Sequence, residues 1–421
     1  MKPILIFIAF VFCVFSFGCK KDSSTIGDGL NFKTFNLPPD AVYPSADNCF
    51  LVADYITPRL AKIDGNGNLL WQRNDVFSSV EVNNLTNYFE TLPIIISSMQ
   101  NTCSFQCIID SIRGTQKYYH ILFTTLDNNG NILVKKNISN PKDSLEYNTV
   151  TWSFADAIAL PSGDFIYLVP NYFEYGSGTW LYHITVRKIS SSGNLIWEKK
   201  QSIKVAANTN NLDYNLKLYS NDAATFYIIQ QYSSTNNRVS SYDASGDFIS
   251  FKNINSQIIP NVSTYDNLLF SPSYINSIIS PNSNEIIFTG SKVLSIDATN
   301  QSIDNWFIYK FNSAFGIIKS NYYGTLRSAG VSCINNRGNI VLVGYEIINT
   351  KIYFKASEFD RNTLEEISNN SYLETNIYPG LACVSNPDGT ISVIATDRTV
   401  SNLDPTITIF FKLNADGSLI K

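Results

Sequence analysis

The chain has 421 residues, of which 44% are hydrophobic, 13% aromatic and only 16% charged, with a formal net charge of -4 and an isoelectric point near 5.3. Charged residues fall well below the roughly 25% of an average soluble chain, and no basic cluster occurs after Lys21, which argues against nucleic acid as a partner. The 27 Phe and 24 Tyr against 2 Met suit pleated, half-buried strand surfaces, so the length fits one large all-β unit better than several mixed domains.

The N-terminal stretch "MKPILIFIAFVFCVFSFGCKKDSS" carries Lys2 and then an apolar run from Ile4 to Phe17 interrupted only by Ser16. A bilayer needs about 20 apolar residues, so this shorter run reads as a signal-peptide core. Ser16, Phe17, Gly18 and Cys19, followed by Lys20, Lys21 and Asp22, resemble a lipobox, with Ser16 and Phe17 departing from its usual residues. The resemblance implies removal of residues 1–18 and lipidation of Cys19, with palmitate among its acyl chains; an ordinary cleaved signal is the alternative. Three acyl chains exceed the two-signal threshold for stable membrane attachment. The Cys-Lys-Lys-Asp run also resembles the tether of lipoproteins that some Gram-negative bacteria export to the outer surface, which implies an outer-membrane anchor with the cell surface preferred over the periplasmic face. Residues 19–36 are then a lipidated, flexible tether.

From residue 37 onward two motifs alternate. The first is "KIDGNGNLLW" at Ile63, followed by "TLDNNGNILV" at Leu126, "KISSSGNLIW" at Ile189, "SYDASGDFIS" at Tyr242, "KFNSAFGIIK" at Phe311, "EFDRNTLEEI" at Phe359 and "KLNADGSLIK" at Leu413. These seven copies have a mean period of about 58 residues, the mark of a repeat architecture. The second precedes each copy and joins a polar turn to a β-branched run, as in "ALPSGDFIYLVP" (159–170) and "CINNRGNIVLVG" (333–344). Both read as hairpins, so each unit holds four strands and 37–421 is expected to form an all-β, seven-bladed β-propeller of four-stranded antiparallel blades. Stacked blade faces account for Trp71 and Trp197 at one repeat position. The closing "GSLIK" is expected to supply the last fourth strand, with "LNFKTF" (30–35) as the other source. Two β-sandwiches are the rival architecture. The segments "GNLLW" (67–71) and "GNLIW" (193–197) resemble bacterial repeats of the quinoprotein kind.

Catalytic equipment is sparse. His120 and His183 are the two histidines, each six residues before its anchor, and equivalent places in stacked repeats are framework positions before they are a shared site. Nucleophile elbow, zinc-helix and haem-attachment motifs are missing, so no catalytic residue, metal or cofactor is assigned. Asp54, Asp110, Glu346 and Asp397 each follow a β-branched run and are candidates for one mouth of the central channel, where a glycosidase needs two carboxylates. The "DGNGN" (64–68) and "DNNGN" (127–131) segments have alternating oxygen ligands, but they lack the distal Glu of a calcium loop and carry the residues a tight turn demands. In "NYFEYGSGTWLYH" (171–183), Tyr172, Phe173, Tyr175 and Trp180 flank a Gly-Ser-Gly tip, read either as rings packed on the next blade or as a binding loop. Cys103 and Cys107 flank "SFQ" in an expected turn and form a disulfide if it brings their Cα atoms within about 7 Å. Cys333 and Cys383 occupy similar places in blades six and seven and read as small buried apolar residues rather than as partners.

The function expected from these features is non-catalytic binding at the bacterial envelope, by a lipid-anchored propeller that meets a glycan, a peptide or an envelope protein. The competing expectation is a propeller enzyme acting on carbohydrate through the four carboxylates at the channel mouth.

Overall fold

A computed structural model describes residues 23–26, 30–35, 37, 41–45, 47–54, 58–76, 94–97, 101–113, 116–138, 144–146, 156–176, 179–206, 215–220, 224–231, 237–253, 273–282, 284–296, 302–326, 331–348, 351–373, 377–397 and 407–420. Among the described residues every named element is a β-strand, and no helix is long and apolar enough to cross a membrane. The chain starts with β1 (Ser23–Ile26) and β2 (Leu30–Phe35). Blade one is β3 (Ala41–Pro44), β4 (Phe50–Asp54), β5 (Arg59–Ile63) and β6 (Leu69–Arg73). Blade two is β7 (Ile94–Ser97), β8 (Asn101–Arg113), β9 (Gln116–Asp127) and β10 (Ile132–Asn137), with β11 (Ser144–Glu146) pairing with β9 beyond the end of β10. Blade three is β12 (Ala157–Ala159), β13 (Phe165–Gly176), β14 (Thr179–Ile189) and β15 (Leu195–Ala206), and blade four is β16 (Asn215–Tyr219), β17 (Thr225–Gln231), β18 (Asn237–Asp243) and β19 (Phe248–Asn253). Blade five is β20 (Ser273–Asn282), β21 (Glu285–Ile296), β22 (Ser302–Asn312) and β23 (Ile317–Leu326), and blade six is β24 (Val331–Ile334), β25 (Ile340–Ile348), β26 (Lys351–Phe359) and β27 (Glu366–Leu373). Blade seven contains β28 (Ile377–Ser385), β29 (Ile391–Asp397) and β30 (Ile407–Leu413).

The blades form a seven-bladed propeller of antiparallel sheets. First strands lie innermost: β3, β7, β12 and β16 neighbour one another in turn, as do β20, β24 and β28, and β28 lies beside β3. The apolar core is divided into seven clusters, one in each gap between blades. Between blades two and three, for example, Phe105 and Phe123 meet Phe165 and Tyr167. Alternation along each central strand sends successive residues into the two adjacent gaps. Hence both faces are apolar, and Phe50, Leu51, Val52 and Ala53 are all fully buried.

The first repeat motif is a hairpin turn with a glycine bulge. In blade one the Gly67 amide donates to the Asp64 carbonyl at 2.9 Å and the Asp64 amide to the Asn68 carbonyl at 2.9 Å. Gly67 sits at φ 71°, where a side chain is strained, and the register slips between Lys62 and Ile63. The Asp64 carboxylate is consumed by the turn itself. One oxygen accepts from the amides of Asn66 and Asn68, and the other from the Asn68 side chain. Asp127 repeats this pattern in blade two. These carboxylates are turn locks, which is the reading their spacing favoured over calcium.

Each such turn docks on the blade before it. Trp71 Nε1 donates to the Asn128 carbonyl at 3.0 Å, and its ring lies so close to Gly130 that a Cβ there would sit 2.8 Å from it. Trp197 does the same to Ala244 and Gly246. Gly193 lies under Phe123, and Gly67 under Phe410 of blade seven. Blades five and six invert the device. Phe315 and Leu364 take the positive-φ place at 53° and 52° and insert as buried knobs into blades four and five. A left-handed backbone costs about 1–2 kcal/mol, whereas burying such a side chain gains about 1.5–3 kcal/mol, so the knob wins.

An ion pair ties the first turn of five blades to the third strand, one residue before the anchor. Lys62 meets Asp47 at 2.6 Å, Lys188 meets Asp164 at 3.1 Å, Lys310 meets Glu285 at 2.9 Å and Lys412 meets Asp388 at 3.1 Å. Blade six reverses the signs: fully buried Glu358 pairs with Arg337 at 3.0 Å and accepts from Asn335 and Asn339. Retained geometry with exchanged charge identifies the pair as a positional feature of the repeat.

Ring closure departs from the sequence expectation. The segment "GSLIK" contributes only an isolated bridge, Leu413 to Leu419. The fourth strand of blade seven is β2, which pairs with β30 in the register Phe32↔Phe411 to Phe35↔Thr408, and β1 adds a fifth strand. Thr408 Oγ1 donates to the Leu37 carbonyl at 2.5 Å. The propeller therefore begins well inside the expected 19–36 tether. The turn that leads into "GSLIK" docks on blade six as the other turns dock on their neighbours: Asn335 Nδ2 reaches the Ala415 carbonyl, and Ser368 and Asn370 reach the Asp416 carbonyl.

Gly130→Ala is expected to destabilise the fold by about 2–3 kcal/mol, combining the backbone strain with the clash on Trp71. Gly163→Ala, at φ 84° with nothing within 4 Å of its would-be Cβ, is expected to cost only the strain of about 1 kcal/mol. Denaturant midpoints of the two variants separate docking from turn geometry. The turn carboxyls supply a second check. Hydrogen bonds from Asn131, Ser245, the Thr363 amide and Ser418 hold Asp127, Asp243, Asp360 and Asp416 below the ordinary value, and those from Thr390 bring Asp388 down to about 2. A lowered folded-state value stabilises above the unfolded pKa near 4 and is lost as pH falls through the folded values. Urea midpoints are thus expected to decline between about pH 4 and pH 2, less steeply in Asp388→Asn.

Candidate functional site

The aromatic segment of blade three is not a loose loop. β13 and β14 pair without a break in direction from Phe165↔Ile189 to Gly176↔Thr179, with one bulge between Pro170 and Tyr172, and β15 follows to Thr179↔Ala206. The result is a three-stranded ribbon. Beyond the bulge Phe173 stands opposite Tyr182 and Tyr175 opposite Trp180, while Tyr182 and Trp180 face Ile203 and Val205 across β15. Directly paired residues, and residues two apart, share one face of a sheet. Phe173, Tyr175, Trp180, Tyr182, Ile203 and Val205 therefore occupy a single face. Tyr172 falls on the other, opposite His183.

That face continues the side of β14 on which Ile184 and Val186 are buried against Leu216 and Phe226 of blade four. The blade-four hairpin ends at Gln231↔Asn237, and Asn237 lies as far before Tyr242 as Ile184 does before Ile189. Above Ile184 no described strand of blade four covers the aromatic row. On the opposite side β11 lies beside β13. His183 belongs to that side, and its Nδ1 is 2.9 Å from Ser202 Oγ. His120, opposite Ile108 on β9, occupies the matching place in blade two.

The four carboxylates stand on second strands, one strand out from the axis, in blades one, two, six and seven, which are consecutive around the ring. Their heights differ. Asp54 closes the short hairpin opposite Arg59, Glu346 faces Tyr353, Asp397 faces Ile407, and Asp110 falls at the bulge between Ile109 and Ser111. Asp54 is 1% exposed and accepts from Arg59 Nε at 3.0 Å and Nη2 at 2.5 Å. It secures the hairpin and does not line an open mouth. Among the described residues no group of three or more His, Cys, Asp or Glu gathers as metal ligands.

The expected Cys103–Cys107 bridge is overturned. Both residues lie on the continuous strand β8, and no turn separates them. Four strand residues span roughly 13 Å, beyond the reach of a disulfide. Cys103 is a free, buried thiol. The expected lipidation site, Cys19, lies outside the described residues. Sequence reasoning missed the ion pairs of the first turns, although a Lys or Glu directly before five of the seven anchors was a visible signal.

No family model matches the chain, and no curated protein matches it. Among solved structures it is similar to the polysaccharide lyase Uly1, at 11% identity over 94% of this chain and 95% of that one, TM-score 0.48. It is also similar to the NanB sialidase of Streptococcus pneumoniae, at 9% identity over 90% and 68% of the two chains, TM-score 0.42. A Bacteroides caccae protein of unknown function matches at 10% identity over 79% and 92%, TM-score 0.36. Likenesses at these scores carry no functional argument.

Asp54→Ala, which strands Arg59 and removes a buried ion-pair partner, is expected to destabilise the fold by about 3 kcal/mol. Thermal and urea midpoints check this, and an unchanged midpoint would return Asp54 to the list of free functional carboxylates.

Proposed function

We propose that the protein is a non-catalytic binding protein of the bacterial envelope, held to the outer membrane through lipidated Cys19 and recognising a glycan on the aromatic face of the blade-three ribbon. The observation that carries this reading is the register that brings Phe173, Tyr175, Trp180 and Tyr182 onto one face, above the last described strand pair of blade four. Aromatic rings combine a large apolar surface with a polar edge, the chemistry that stacks on sugar rings, and mounting them on a paired ribbon fixes their spacing before a ligand arrives. Buried, paired Asp54 favours binding over acid-base catalysis, because it removes one carboxylate from the enzyme reading.

Glycan-array binding of the mature chain is expected to fall about tenfold or more in Tyr175→Ala/Trp180→Ala, corresponding to at least 1.4 kcal/mol, with the thermal midpoint retained. Unchanged binding by the folded double variant would remove the ribbon from the proposal. Palmitate labelling of cells, lost in Cys19→Ala, tests the anchor separately.

A further inference from the structure

Cys333 and Cys383 meet in the gap between blades six and seven. Cys333 is on β24 and Cys383 on β28, innermost strands that lie side by side. Register turns them toward each other. Cys333 stands opposite Val341 and Cys383 opposite Val393, and all four are buried in the one apolar cluster that fills this gap. Both are free, buried thiols here, near enough for the Cys333 side chain to push the Cys383 thiol upward. Cys103 and Cys49 have no such counterpart among the described residues. Cys103 packs in the gap between blades two and three, and Cys49 Sγ donates to the Asp47 carbonyl at 3.7 Å.

We infer that Cys333 and Cys383 form a disulfide that staples blade six to blade seven in the exported protein. The inference rests on the envelope location proposed above, because an oxidising compartment is where such bonds persist. One Sγ–Sγ bond forms as the two thiols lose their protons. The two electrons pass to a disulfide oxidant, either a thiol–disulfide oxidoreductase or oxidised glutathione, whose own S–S bond breaks into two thiols that take up the protons. Adjacent strands and a shared buried cluster set the two side chains beside each other, the arrangement that a bond of about 2 Å needs. The neighbouring Cys333 thiol and burial hold the Cys383 thiol well above its ordinary range. The reactive thiolate is therefore scarce once the blades have docked, and closure belongs to folding, while the gap is still open. The staple sits one blade short of the junction that β2 closes and ties β28, the inner strand of the closing blade, to its neighbour.

The test is to refold the full mature chain from denaturant in a mixture of reduced and oxidised glutathione, alkylate free thiols and map peptides by mass spectrometry. A single cross-linked pair, 333 with 383, is expected, and the oxidised protein should melt on the order of 5 °C above the Cys333→Ala and Cys383→Ala variants. In excess reductant that gap should close. Recovery of both cysteines as alkylated thiols, or in bonds to other cysteines, would overturn the pairing. Refolding reports on the pairing whatever the compartment, whereas palmitate labelling reports on the anchor, so each can fail alone.

Discussion

Seven sheets make one body here because a hairpin turn from each blade seats on the blade before it. A four-stranded sheet with two apolar faces cannot stand alone in water, and a row of such sheets leaves two faces bare at its ends unless it closes. Stacking alone would allow the sheets to slide. The docked turns fix their mutual position: a positive-φ glycine admits the ring of Trp71, Phe123, Trp197 or Phe410, or a knob such as Phe315 goes the other way. Both solutions fill the same gap, which is why the motif persists as a geometry while its residues change.

Closure uses the same device together with a strand that the C-terminus does not supply. The turn of blade one sits on Phe410, Lys412 Nζ reaches Asn66 Oδ1 at 2.7 Å, and Ser392 Oγ reaches the Gly65 carbonyl at 2.6 Å. On the outer side β2 pairs with β30, so the two ends of the chain share a sheet. Lys33 of β2 reaches the Gly67 carbonyl at 3.2 Å and lies over the Phe410 ring at 5.9 Å. Strand exchange and turn docking therefore converge on one junction. A chain anchored just before β1 would hold this junction toward its tether.

The blade count and the strand order within blades were legible because they rest on local chemistry: turn residues, β-branched runs and two recurring tryptophans. Features that depend on partners far apart in sequence were not. The choice between "LNFKTF" and "GSLIK" rests on the pairing of β2 with β30, strands far apart in the sequence. Cys103 and Cys107 looked like neighbours across a turn because "NTCSFQC" falls where the other units place a polar turn; it lacks the usual turn residues and is a continuous strand. In the ribbon, one bulged residue after Pro170 reverses the alternation, which puts Phe173 and Tyr175 on the face of Leu168 and Ile184 and leaves Tyr172, which the sequence had grouped with them, on the other. The Lys310–Glu285 and Glu358–Arg337 pairs make the same point, since only their shared location reveals them as one device with opposite signs.

The recognition proposed here falls to what rises above the ring, and in the blade-three ribbon paired strands carry aromatic residues past the described strands of blade four. Its usefulness depends on the ring holding still, and the ring depends on the junction of β2 with β30. Amide hydrogen exchange followed peptide by peptide tests this most directly. Residues 30–35 and 407–413 are expected to exchange only through global opening, with the same free energy as β29. Exchange of 30–35 at the rate of a free chain, while β29 stays protected, would contradict closure by the N-terminal strand.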